Sequence, residues 1–112
     1  MTPSKLFMRY IEKFPESKIA KEYAEQGDAY FRNCGHFALY LACGSFEWAL
    51  SRADDTNTEC LKQLIGNDID FDMRVREFER VYNKEPITVL ERKYGIPSLF
   101  TKEFLSRNIT LD

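Results

Sequence analysis

The sequence predicts an all-α fold, a compact single-domain bundle of about six or seven short helices over residues 1–112, and three observations carry that expectation. Apolar residues recur at helical spacing nearly throughout, and no stretch alternates with a period of two for long enough to suggest a half-buried strand. Helix-starting Ser, Thr and Pro and helix-stopping Gly, Asn and Pro stand between the apolar runs. With 112 residues, 44% of them hydrophobic and 30% charged, the chain has the length of one domain and can hold a core without a metal or disulfide staple.

The elements follow in order. Thr2 and Pro3 form an N-cap and first-turn pair for a helix whose stripe is Leu6, Phe7, Tyr10, Ile11 and Phe14, and Pro15 ends it. Ser17 caps a second helix near 17–33, with Ile19, Ala20, Tyr23, Ala24, Tyr30 and Phe31 toward the core and Gly27 placed where helices could approach closely. Gly35 marks a turn, after which a third helix near 36–52 is apolar almost all round and is therefore central; with the second it makes the central αα-hairpin. Residues 52–59 read as a loop in which Thr56 or Thr58 caps a short helix over 59–65, stopped at Gly66 and Asn67. A fifth helix covers 73–83, a sixth starts after Pro86 and covers 87–94, and a seventh covers 99–108.

Charge is unevenly placed on a chain of net charge -2. Residues 1–72 carry eight Lys or Arg against twelve Asp or Glu, whereas residues 73–107 carry eight against five, so the C-terminal third is the expected site for an anionic partner, nucleic acid included. Three cysteines, an odd number, fit a reducing, cytoplasmic setting. The longest nearly uncharged run, 34–46, is far shorter than the roughly 20 residues of a membrane-spanning helix, so no membrane partner is expected.

Four stretches invite a chemical reading. The run "NCGHFALYLACG" holds Cys34, Cys43 and the only histidine, His36, and raises the alternative of a Cys/His enzyme or metal site. Residues two apart on a helix diverge by about 200°, and the 34, 36, 43, 60 spacing of Cys and His lacks the paired C-x-x-C knuckle of zinc sites; small buried thiols are the expectation. Asp68, Asp70, Asp72 and Glu79 in "DIDFDMRVREFE" resemble positions 1, 3, 5 and 12 of an EF-hand loop, but Met73 stands where that loop needs glycine. The aspartates there favour the start of a helix.

The stretch "AKEYAEQGDAYFRNCGHFALYLAC" resembles a single tetratricopeptide-type helical hairpin through Ala20, Tyr23, Gly27, Tyr30, Gly35 and Phe37, with Tyr40 in place of a small residue and no second repeat. That resemblance implies an αα-hairpin. Residues 86–107 resemble a DNA-binding helix-turn-helix, with Val89 and Leu90 in a first helix, Tyr94 to Ile96 at the turn, and Phe104 and Leu105 in a second. It implies Ser98, Thr101, Lys102 and Arg107 at the groove or phosphates and Arg92 and Lys93 at the backbone, although Glu91 occupies a position where a small residue lets such helices close.

Walker loops, dinucleotide glycine fingerprints, H-E-x-x-H and G-x-S-x-G are absent from the sequence, and no cofactor is expected. The expected function is non-catalytic: a small adaptor or inhibitor that binds and regulates a larger protein through a preformed helical surface with exposed aromatics. A helix-turn-helix regulator using 86–107 is the alternative, and a site at Cys34 and His36 the second alternative.

Overall fold

The computed structural model describes residues 3–94, and helices follow one another with no strand among the described residues. They are α1 (Lys5–Lys13), α2 (Lys18–Gln26), a 3-10 helix (Gly27–Arg32), α3 (His36–Ala42), α4 (Phe46–Ser51), α5 (Asp55–Ile65), α6 (Asp68–Tyr82) and α7 (Ile87–Tyr94). The expected helix over 99–108 lies outside the described residues. None of the described helices is long and apolar enough to cross a membrane.

Caps explain most of the boundaries, and several differ from expectation. Ser4, rather than Thr2, caps α1: its Oγ accepts from Phe7 N at 3.2 Å. Ser17 caps α2 as the sequence predicts, accepting from Ala20 N at 3.2 Å. Asp54, rather than Thr56 or Thr58, caps α5, accepting from Asn57 N at 2.7 Å. Asn67 caps α6 through Ile69 N at 2.9 Å, so the stretch that resembles a calcium loop is helix from Asp68 onward.

The two hairpin helices are each divided. Gly27 takes φ +60, ends α2, and passes the chain into the 3-10 segment; a Cβ placed there would meet nothing within 4 Å, so this glycine serves the bend and not a close helix contact. Ala24, expected in the core, is exposed. The predicted helix over 36–52 breaks at Gly44, φ +76, where Gly44 N donates to Leu41 O at 3.0 Å and Ser45 N to Tyr40 O at 2.8 Å. Those two bonds are a Schellman stop, which needs a left-handed residue at the position Gly44 fills.

Central placement of α3 follows from its sequence: six of its seven residues are buried, and it packs on α1 and α4. Around it the aromatics form a stack, with Phe7 at 5.2 Å from Phe31 and 5.1 Å from Tyr23, and Tyr10 at 5.8 Å from Phe37, ring centroid to centroid. Ser4 joins the ends of α1 and α3. Its backbone N–H donates to Ala42 O at 3.0 Å and its Oγ to Leu41 O at 2.5 Å, so one residue starts one helix while satisfying the last carbonyls of another.

Candidate partner-binding surface

Cys34 and His36 do not form a nucleophile and its base. Burial pushes the Cys34 thiol up to about 12, the reverse of what a reactive cysteine needs, and its Sγ donates to Phe31 O at 3.8 Å. Cys43 is buried and likewise pushed up to about 12. His36 turns instead toward α7, its Nδ1 lying 3.4 Å from Glu91 Oε2. Among the described residues no group of three or more His, Cys, Asp or Glu converges on a point where a metal ion could sit.

Glu91 is the centre of the best-connected polar cluster. Only 4% exposed, it accepts from Tyr40 Oη at 2.7 Å and from Arg52 Nε at 3.1 Å, and its second oxygen pairs with Arg52 Nη2. Burial alone would push this carboxyl up. The hydrogen bonds from Arg52 and Tyr40, and the charges of Arg52 and His36, outweigh burial and hold it below the usual carboxylate range. Burial and the bond to Glu91 push the Tyr40 hydroxyl up, so it stays a neutral donor. The cluster fastens α7 to α3 and to Arg52 at the end of α4, and it explains why Tyr40 stands where the tetratricopeptide pattern has a small residue. Its four groups already satisfy one another, which is the pattern of a structural clamp.

For the helix-turn-helix reading, the structure places Arg92 and Lys93 exposed in the last turn of α7, with Lys93 Nζ 5.5 Å from the centroid of the Tyr94 ring. Ser98, Thr101, Lys102 and Arg107 lie outside the described residues. Glu91 faces inward to α3 and α4.

A second feature of the surface is a cleft. Between α1, the α3–α4 turn, α5 and α6 opens a cleft of about 900 Å³, lined by Leu6 from α1, Phe46 beside the turn, Leu64 and Ile65 from α5, and Met73 from α6. Met73 is 61% exposed, and Ile69, one turn earlier, is 71% exposed. Lys5 and Arg9, one turn apart on α1, border one side, and Arg74 the other; Asp70 is the one carboxylate in the lining. Arg74 lies over the Phe46 ring, 5.0 Å from its centroid, and reaches Glu47 Oε1 at 3.3 Å.

The sequence does not mark these residues as one surface, because they come from four separate segments. Summing charge by segment hides them too: Lys5 and Arg9 belong to the acidic stretch, yet the fold brings them opposite Arg74. The aromatics expected at the surface are mostly in the core stack; Tyr94 alone among the described Phe, Tyr and Trp is a strongly exposed ring, at 58%. A strip of half-buried rings, Trp48, Phe78 and Tyr82, joins Tyr94 to the core.

No family model, no curated protein and no solved structure matches this chain.

Proposed function

We propose that the protein is a non-catalytic helical module that binds a larger protein and regulates it, as an adaptor or an inhibitor, through the cleft between α1, α5 and α6. The cleft carries this reading. Leu6, Phe46, Leu64 and Ile65 give it an apolar lining, its walls are helices held by caps and by the core, and exposed Met73 extends the apolar surface toward solvent. Methionine is an adaptable contact residue at protein-binding surfaces, and a concavity walled by helices is the usual seat for an amphipathic segment of a partner.

The test is capture from the source cells with the wild type and Met73→Glu side by side. Met73 is exposed, so the variant keeps the fold, which its circular dichroism would verify. A defined protein recovered by the wild type and lost on Met73→Glu is the expected result. Equal recovery by both chains, or a monomer that retains nothing, counts against the cleft as the binding surface.

A further inference from the structure

From the way α7 is attached, we propose that this helix is a releasable strap, which through Glu91 fills a carboxylate-binding site formed by Arg52, Tyr40 and His36 until a carboxylate of another protein displaces it. Tyr40 and His36, one turn apart on α3, and Arg52 at the end of α4 converge on a single acceptor. The Tyr40 hydroxyl donates to Glu91 Oε2 at 2.7 Å and the Arg52 Nε–H donates to the same oxygen at 3.1 Å. Arg52 Nη2 takes Oε1, and His36 Nδ1 lies 3.4 Å from Oε2. A guanidinium fork with a hydroxyl beside it is an arrangement suited to carboxylates, and the Tyr40 that supplies the hydroxyl is only 3% exposed. The three donor residues belong to α3 and the end of α4; the acceptor belongs to α7.

Three observations make α7 separable from the body it straps. The first is that its buried residues are Leu90 and Glu91, and Leu90 stands apart from the continuous core to which α1, α3, α4, α5 and α6 contribute among the described residues. The remainder of the helix is half-buried or exposed, and the Tyr94 ring at its end meets Tyr82 at 5.6 Å. A helix held by one polar clamp and one leucine opens at lower cost than a helix built into the core.

The second observation is the connection from α6, where Asn83 and Lys84 both take positive φ, +55 and +58. Asparagine is common there as a helix stop, whereas lysine is strained. The third is Glu85 next in the chain, whose Oε2 is buried with no hydrogen-bond partner among the described residues. Release of α7 relaxes Lys84 and lets water reach Glu85, and both gains offset the loss of the clamp. Since α7 contributes none of the described lining of the cleft between α1, α5 and α6, the strap and the cleft stand or fall separately.

The experiment is hydrogen exchange followed by NMR on the full, isotope-labelled wild-type chain. The amides of Val89 to Tyr94 should exchange together, at least about tenfold faster than those of α3. An unlabelled synthetic peptide of residues 84–94, added at about 1 mM, should speed exchange of the chain's own α7 about threefold, because it holds the site while α7 is away. The same peptide carrying Glu91→Gln should have no effect.

Exchange of α7 and α3 at one rate would show that the helix is not released by itself, and rates graded inward from Tyr94 would be end fraying. A Glu peptide without effect, or a Gln peptide as effective as the Glu peptide, would show that the site does not receive a carboxylate from outside the chain. Each of these results overturns the proposal, and none depends on a variant of the chain that must fold.

Discussion

Removing the Glu91 carboxylate would leave the Arg52 guanidinium and the Tyr40 hydroxyl without the acceptor they share, and His36 without its carboxylate neighbour. Glu91→Gln should therefore destabilise the fold by about 1–3 kcal/mol in urea unfolding near neutral pH. The pH dependence has a definite sign. A carboxyl whose pKa is lower folded than unfolded contributes fully above the unfolded value of about 4.3, and the contribution is lost as pH falls through the folded value. The gap between wild type and Glu91→Gln should therefore narrow on acidification; a gap as large at about pH 3 as at neutrality would show that ionised Glu91 is not its source.

The cysteines give a second expectation at this scale. With both thiols pushed up to about 12 by burial, Cys34 and Cys43 should resist iodoacetamide in the native protein at neutral pH and react once it is unfolded, as peptide mass spectrometry would record. Rapid native alkylation of Cys34 would revive a chemical role for it. Cys43→Ser, which puts a hydroxyl into a site 7% exposed, should cost about 1–3 kcal/mol of stability.

At the scale of elements, the joint between α1 and α3 depends on two residues. Ser4→Ala removes both the cap on Phe7 N and the bond to Leu41 O and should cost about 1–2 kcal/mol. Gly44→Ala forces a Cβ into the left-handed conformation of the Schellman stop, at a cost of about 1–2 kcal/mol, measurable as a lowered thermal midpoint. How far each boundary was legible depends on where its partners sit. Ser17 and Pro86 act on atoms within a few residues, and both were readable. The break at Gly44 was not. Its flanks are apolar and helix-forming, and it is stabilised by α1, which arrives through Ser4 to take the carbonyls of Leu41 and Ala42.

For the whole molecule, the all-α class followed from helical apolar spacing with its start and stop signals, and the helix expected to be central over 36–52 is so most fully in its first part, His36–Ala42, because a helix apolar almost all round must be covered on every side. Leu39→Ala, at a site with no exposure, should cost about 2–5 kcal/mol, a large share of the roughly 5–15 kcal/mol that holds a domain together. Met73→Ala, in the open cleft, should change stability by no more than about 0.5 kcal/mol, so a chemical melt of the pair separates core from binding surface. The cleft itself could not be read beforehand. Leu6, Phe46, Leu64 and Met73 each look like ordinary helix-face residues, and only the packing of α1 on α5 and of α6 on α4 and α5 brings them together. The same holds for Glu91, whose partners lie 39 and 51 residues away in the chain.

Trp48 is the chain's single tryptophan, and its half-buried indole touches Tyr40 at 5.7 Å, Phe78 at 5.8 Å and Tyr82 at 5.6 Å between ring centroids. One native fluorophore thus sits at the seam where α6 meets α3 and α4. Its emission maximum will shift to the red if α6 lifts away while the rest of the bundle holds, so the unlabelled protein carries its own gauge of whether that wall of the cleft is in place.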